Sequence, residues 1–191
     1  MTAPSTFGSI ARSLRPSILS ALTLDHIFTL FEEYVRQTGQ RLNVLLIGRL
    51  ALYAYGSSEA RTDDVDAELA QDVERVAAFL KQHGVPSNLS ENISGWAIVS
   101  LPPGYRNRAK VLHERENLRV TVLEPTDFII SKLRRGTEQD FSDAEFVAQR
   151  YGVTSHAVQA AADAAVAASP KDTALFVFRK AVALFIQRLT Q

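Results

Sequence analysis

Residues 46–69 have the sequence LIGRLALYAYGSSEARTDDVDAEL, and this stretch decides the fold. The apolar residues 42–48 (LNVLLIG) predict a buried strand, and residues 49–55 predict a short helix that ends at Gly56. Residues 64–69 alternate charged side chains with small or apolar ones, as expected of a half-buried strand. A strand, a short helix and a second strand are therefore predicted in immediate succession.

Gly48 stands where the predicted strand meets the helix. Backbone N–H groups at the start of a helix are free to hold an anion, and a glycine lets a phosphate approach the backbone closely. A glycine at such a junction is more often only a turn residue, so this feature alone leaves both interpretations open.

Asp64 and Asp66 are two positions apart on the second predicted strand. Strand alternation places both carboxylates on one face, about 6–7 Å apart along the chain. Mg²⁺ prefers oxygen ligands and usually takes one or two protein carboxylates together with substrate phosphates. A solvated acidic strand is the alternative, but the presence of Gly48, Arg61 and Thr62 nearby in the sequence favours a metal site.

The flanking sequence predicts further strands and a set of helices. The strands are expected at 96–101, 109–113 and 118–123, and the helices at 22–38, 71–83, 126–135, 142–151, from Thr154 onward and at 172–189. Ser142 and Glu145 have capping-box spacing, and Ser169 and Pro170 mark the start of the last helix. The predicted fold class is α+β, with a small mixed β-sheet flanked by helices and a helical C-terminal extension.

The composition excludes several classes of protein. Lys+Arg and Asp+Glu number 21 each, so no net charge attracts nucleic acid or an anionic membrane over long range. Cysteine is absent, which excludes disulfides and zinc–thiolate sites. No secretory signal and no transmembrane segment are predicted, and a cytoplasmic protein is expected. We expect a flexible arm at 1–20, a core at 21–124 and a helical region packed on it at 125–191.

The apolar surface of the last predicted helix is wider than one packing face requires. Phe176 and Ile186 lie off the stripe formed by Leu175, Phe178, Val182, Phe185 and Leu189. Burial against the preceding Ala-rich helix is the favoured explanation, and a homodimer through this helix is the other. A plain interaction module that binds through this helix is one hypothesis for the whole protein.

Two blocks of sequence carry a resemblance to a known family. The pattern Gly48, Gly56, Arg61-Thr62, Asp64-Val65-Asp66 resembles the minimal bacterial nucleotidyltransferases of the polymerase-beta-like superfamily. The second block looks like the subgroup related to the abortive-infection (AbiEii-type) and other toxin–antitoxin nucleotidyltransferases, and its matching residues are Pro125, Asp127, Phe128, Lys132, Leu133, Asp140 and Asp143. The resemblance spans roughly residues 40–150.

The resemblance implies a nucleotidyltransferase-like fold and a metal-dependent transfer of a nucleotide from an NTP to a hydroxyl of RNA or protein. Mg²⁺ or Mn²⁺ would be the cofactor, and Asp64 and Asp66 would be the metal ligands and catalytic residues. Gly48, Arg49, Arg61, Thr62 and Lys132 are the implied nucleotide-binding residues, with Lys132 expected near the start of a helix. Asp140 and Asp143 are expected to cap or brace the next helix. A cognate toxin–antitoxin partner, or membership of a phage-defence pair, is implied as well.

Two departures from the family pattern favour an alternative function. Arg49 follows Gly48 where the family usually has Gly or Ser, and it would either clamp the triphosphate, fill its place, or point to solvent. The predicted strand 117–123 carries no third carboxylate, and Glu124 lies at its end on the other face. The alternative is a degenerate nucleotidyltransferase fold that binds a nucleotide or a partner protein without catalysis.

The charge pattern gives a last expectation about the site. Residues 57–74 contain seven acids and one base, whereas residues 102–119 contain five bases and two acids. An acidic strand facing a basic strand pair would form a cleft for a metal–triphosphate complex or an RNA end, but ordinary solvated faces that balance each other are the favoured interpretation. Tyr105 is a candidate for stacking a base. Trp96 is expected to pack in the core rather than to stack on a base.

Overall fold

A computed structural model of the chain describes residues 22–58 and 62–190. The predicted arm at 1–20 and Arg61 lie outside the described residues. The helices are α1 Leu24–Thr38, α2 Gly48–Ala54, α3 Val73–Gln82, α4 Tyr105–Arg108, α5 Pro125–Leu133, α6 Glu138–Tyr151, α7 Ser155–Ala167 and α8 Ala174–Leu189. The strands are β1 Leu42–Leu46, β2 Val65–Leu69, β3 Ser87–Ser90, β4 Lys110–Arg115 and β5 Leu118–Val122, and a 3-10 turn covers Ile93–Trp96.

The five strands form one mixed sheet in the order β3-β2-β1-β5-β4. The central strand β1 is antiparallel to β2 and parallel to β5. At the two edges, β3 runs parallel to β2 and β4 runs antiparallel to β5. The predicted mixed sheet flanked by helices is therefore confirmed.

Both faces of β1 are covered, which explains why Asn43 is its only polar residue. Leu42, Val44 and Leu46 pack on one face with side chains of α1 and α3. Leu45 and the following Ile47 face the other side and pack with side chains of α5 to α8. Since β1 ends between these two layers, the turn at Gly48 is held in a fixed position.

The strand predicted at 96–101 is wrong. Ile93–Trp96 forms a 3-10 turn, and the edge position of the sheet is taken by β3. The side chain of Asn92 accepts a hydrogen bond from the Ser94 N–H and so caps the turn. Val99 and Leu101 are buried whereas Ile98 is exposed, so the alternation reflects packing of an extended segment rather than strand pairing. The polar sequence SNLS of β3 has no strand signature, and the sequence analysis missed it, as it missed α4.

Two predicted helix starts are also wrong. The capping box of α6 is formed by Thr137 and Asp140, each of which accepts the other's backbone N–H at 3.2 Å. Ser142 lies inside the helix, where its hydroxyl donates to the Glu138 carbonyl. Ser169 does not cap α8, because its Oγ accepts the Ser100 N–H at 2.7 Å.

The last helix exposes part of its apolar surface. Phe178, Val182 and Phe185 are buried. Phe176 is 62% exposed, so the favoured explanation that it is buried is wrong. Its ring lies under the Lys180 ammonium group, 4.4 Å from the nitrogen. Within the described ranges, no helix has both the length and the apolar character needed to span a bilayer.

Candidate functional site

A cavity of about 380 Å³ opens beyond the carboxyl end of β1. Three parts of the chain form its wall: the strand–helix turn with the start of β2, the 3-10 turn, and the junction between α5 and α6. The lining residues are Ile47, Gly48, Arg49, Asp64, Asp66, Ile93, Trp96, Ala97, Ser131, Lys132, Arg134, Arg135, Gln139 and Asp143. The structure thus brings together Gly48, Arg49, Asp64, Asp66 and Lys132, five of the residues singled out from the sequence.

Gly48 has a backbone conformation and a contact that both favour glycine. Its φ is +62°, in the left-handed region. A Cβ atom at this position would lie 2.2 Å from Oδ2 of Asp66. The Ile47 N–H also donates to the Asp66 carbonyl at 3.0 Å, so the backbone of the turn lies directly against this aspartate.

The two aspartates differ in their exposure. Asp64 is exposed and accepts a hydrogen bond from the Thr62 hydroxyl. Asp66 is half-buried, and burial, followed by the nearby charge of Asp64, raises the pKa of its carboxyl. The Asn88 amide, Arg135 and Lys132 act in the opposite direction. Thr62, predicted to bind nucleotide, is therefore placed where it orients Asp64.

Lys132 is buried at the wall of the cavity. It lies in the last turn of α5 rather than near a helix start, as the sequence analysis expected. Its Nζ lies 2.7 Å from Oδ2 of Asp143 and 3.7 Å from Oδ1 of Asp140, and Lys132 is 5% exposed. Gln139 donates to the other oxygen of Asp143 at 2.8 Å. Lys132 is thus a fixed positive group at the cavity and not a solvated helix lysine.

Asp140 braces α6, as expected. Asp140 is fully buried, and burial acts to raise the pKa of its carboxyl. Hydrogen bonds from Arg135 and Thr137 outweigh this effect and hold the pKa of Asp140 below its ordinary value. Arg135 also lines the cavity. Arg135, Gln139 and the place of Asp143 in the cavity wall are not predictable from local spacing, because their positions depend on how α5 and α6 pack.

Among the described residues, no third carboxylate joins Asp64 and Asp66 in a group that could hold a metal, and Asp143 of the cavity wall is paired with Lys132. On β5 the Thr121 hydroxyl donates to the Val44 carbonyl at 3.0 Å, and the following Glu124 caps α5 by accepting the N–H groups of Thr126 and Asp127. Across the described part of the chain, no three histidine or acidic groups are arranged to hold a metal by themselves. Two carboxylates still fit Mg²⁺ that arrives with the phosphates of a nucleotide, since those phosphates supply the remaining oxygens.

The predicted basic side of the cleft is wrong. Arg106 pairs with Glu68 and Arg108 with Asp127, while Arg119 of β5 pairs with Glu114. None of the bases of residues 102–119 lines the cavity that holds Asp64 and Asp66. The cations that line it are Arg49 of α2 and three residues at the end of α5 or just after it: Lys132, Arg134 and Arg135.

The structure reverses the expected positions of the two aromatic candidates, Tyr105 and Trp96. Tyr105 is 5% exposed, and its hydroxyl donates to Glu68 at 2.6 Å, so it is part of the core. Trp96 is 41% exposed and lines the cavity. The expectation of core packing for Trp96 is wrong, because the 3-10 turn directs its ring away from the core that holds Ile93.

Gly48→Ala should destabilise the protein more than an alanine at an ordinary left-handed glycine. Gly39 is the matched control, because its φ is +67° and a Cβ there meets nothing within 4 Å. Both variants strain the backbone, but only Gly48→Ala also drives a methyl group into Asp66. We expect an additional loss of about 1–3 kcal/mol in the free energy of unfolding, measured with urea. Equal losses in the two variants would contradict the close contact between Gly48 and Asp66.

Comparisons with known proteins agree with this arrangement at the level of family and fold. The family described as "Nucleotidyltransferase of unknown function (DUF6036)" matches residues 23–172. The crystal structure of an antigenic nucleotidyltransferase-like protein from Paracoccidioides brasiliensis matches with a TM-score of 0.50. That match covers 88% of this chain and 91% of the other at 12% sequence identity, so it bears on the fold alone. Among curated proteins, no sequence gives a significant match.

Proposed function

Since the chain belongs to the family of nucleotidyltransferases of unknown function (DUF6036), we propose that it transfers a nucleotide from an NTP to a hydroxyl group of RNA or protein. The observation that carries the proposal is the meeting of Asp64 and Asp66 with Gly48 in one cavity that Lys132 and Arg135 also line. Two carboxylates attract a divalent cation, and the cations of the cavity attract the phosphates that accompany it.

Each part of the cavity has a role in this reaction. Asp64 and Asp66 would hold Mg²⁺ or Mn²⁺, which supplies charge stabilisation at the reacting phosphate when it is bound. Gly48 lets the strand–helix turn lie against Asp66, because a side chain at this position would collide with the Asp66 carboxylate. Arg49 clamps the triphosphate, and Lys132 provides a fixed positive charge in the cavity that holds the triphosphate.

The reaction is an in-line displacement at the α-phosphorus of the NTP. The oxygen of the acceptor hydroxyl forms a bond to the α-phosphorus, and the bond from this phosphorus to the oxygen bridging to the β-phosphate breaks. Pyrophosphate leaves, and the proton of the hydroxyl passes to water at the open, exposed side of the cavity near Asp64. The chain's contribution is to bind and orient the triphosphate.

Binding without turnover is the second candidate function. The specific observation in its favour is that, among the described residues, no third acid is grouped with Asp64 and Asp66 so as to hold a metal. In related two-metal reactions, a further carboxylate serves as the base that activates the acceptor hydroxyl. On this alternative the cavity binds a nucleotide and the chain acts as a nucleotide-dependent binding protein.

The proposal extends to a narrower class, the toxin–antitoxin and abortive-infection (AbiEii-type) nucleotidyltransferases. The support is the second sequence block, in which Lys132 and Asp143 keep the spacing of that class and also form a buried ion pair beside the cavity. Expression of the protein with and without the product of a neighbouring gene tests this point. Growth arrest that the neighbour relieves is expected, and no effect of either would contradict the narrower class.

Incubation with each labelled NTP, Mg²⁺ or Mn²⁺, and either total RNA or total protein tests the proposed transfer. We expect label in the acceptor fraction with the parent protein and none with Asp66→Asn. Asp63→Asn is the matched control, because Asp63 is an exposed acid next to Asp64 and outside the cavity lining. Nucleotide binding without any labelled product would favour the second candidate, and label that persists in Asp66→Asn would contradict the proposed site.

A further inference from the structure

Trp96 combines a firmly held backbone with an exposed ring. It is the only tryptophan of the chain, it is 41% exposed, and it lines the same cavity as Asp64 and Asp66. An exposed tryptophan on a loosely held loop would be an ordinary surface residue. The backbone around this one is instead attached at several points to the core and to α5.

Three side chains fix the 3-10 turn. The buried carboxylate of Glu68 accepts the Ile93 N–H at 2.9 Å. The guanidinium of Arg134 donates to the carbonyls of Ile93 and Ser94 at 3.2 and 2.8 Å. The Ser94 hydroxyl accepts the Leu101 N–H at 2.8 Å, which ties the far side of the turn. The backbone that carries the indole is therefore already ordered at the cavity, so the binding of a ligand does not have to order it.

We propose that Trp96 is the platform on which the base of the bound nucleoside triphosphate stacks. This inference rests on the proposed function and names the part of the cavity that takes the base. The lining comes from three parts of the chain with different chemistry: the strand–helix turn and the start of β2 supply Gly48 and the acids, the α5–α6 junction supplies Lys132 and Arg135, and the 3-10 turn supplies the apolar Ile93, Trp96 and Ala97. The charged parts suit the metal and the phosphates, so the apolar part is the place for the flat, weakly charged base.

Stacking on an indole tolerates every base, because each base has a π-face. We therefore expect all four NTPs to bind, with ATP and GTP bound more tightly than CTP and UTP because a purine covers more of the ring. The polar edge of the base faces the remaining cavity, where Ser131 and Gln139 lie. Arg134 is a positioning residue, since it acts by holding the turn.

The single tryptophan makes its fluorescence a direct readout of this site. Titration of the parent protein with each Mg²⁺–NTP should quench the emission, whereas Mg²⁺ with tripolyphosphate, which has no base, should bind without comparable quenching. Quenching by an RNA oligonucleotide but not by any NTP would overturn the proposal and assign Trp96 to the acceptor.

Substitution at Trp96 separates the base from the phosphates. By calorimetry, Trp96→Ala should weaken Mg²⁺–NTP binding about 5- to 150-fold and leave Mg²⁺–tripolyphosphate binding unchanged. Trp96→Phe should keep most of the affinity, and Phe176→Ala, which removes an exposed aromatic ring outside the cavity, should keep all of it.

Three results would overturn the inference. Equal NTP affinity in Trp96→Ala and the parent would reject stacking while leaving the proposed function intact. An equal loss for NTP and tripolyphosphate would show that Trp96 supports the cavity as a whole and not the base. Failure of the parent to bind either ligand would reject both this inference and the proposed function.

Discussion

Replacing both Asp64 and Asp66 with asparagine should abolish the stabilisation that Mg²⁺ and an NTP together give the protein. A ligand that binds only the folded state raises the free energy of unfolding by about 2.7 kcal/mol when its concentration is 100 times Kd. Since neither the metal nor the nucleotide completes the site alone, the increase in melting temperature should be larger with both than with either. Thermal melting of the parent and the double variant, with each ligand set, measures the effect.

The same double variant should fold well in the absence of ligand. Burial and the charge of Asp64 raise the pKa of Asp66, which means that the fold disfavours the ionised carboxylate. Asparagine removes this unfavourable charge while it keeps the shape of the side chain. Asp63→Asn again serves as the control and should keep the full gain with ligand. An unchanged gain in the double variant would place the nucleotide elsewhere.

Lys132→Met should lower the free energy of unfolding by about 3–5 kcal/mol. Methionine keeps the volume of the side chain, but it leaves the carboxylate of Asp143 buried, 4% exposed, without its cation. Loss of one partner from a buried ion pair leaves an uncompensated charge in a medium that solvates it poorly. Urea unfolding of the variant measures this loss.

A double-mutant cycle tests whether the cost comes from the ion pair. Adding Asp143→Asn to Lys132→Met removes the unpaired charge and keeps an acceptor for Gln139, so the double variant should be more stable than Lys132→Met alone. Losses that simply add would mean that Lys132 stabilises the fold by packing, for example on the Phe128 ring 5.5 Å from its Nζ, and not through Asp143.

Local patterns predicted the centre of the fold and the acidic part of the site. The apolar run before Gly48 indicated a buried strand, and the alternation at Asp64 and Asp66 indicated carboxylates on a common face. Both properties follow from the period of a strand, which is visible within a few residues. In the structure, β1 lies between β2 and β5, and the aspartates lie at the cavity. Strand pairing is the only long-range information needed to predict this part from the local patterns.

The parts that sequence reasoning missed depend on distant contacts. Trp96 belongs to a turn held by Glu68 and Arg134, which are 25 and 40 residues from the groups they bind, so no local spacing reveals it. The alternation at 96–101 was misleading because Val99 and Leu101 pack in the core without a strand partner. Charge alone leaves open whether the bases at 106, 108 and 119 line a cleft, and the structure pairs them with Glu68, Asp127 and Glu114.

The order of the strands has a consequence for the synthesis of the protein on the ribosome. The parallel partner of Leu42 in β1 is Leu118 in β5. The ribosome therefore adds 76 residues after Leu42 before this partner of the central strand has been synthesised. The cavity closes later still, because Lys132 and Asp143 follow β5 in the chain. Non-local pairing of this kind slows folding. The cavity can therefore form only after residue 143 has left the exit tunnel, so a nascent chain carries its acidic strand before the cavity is complete.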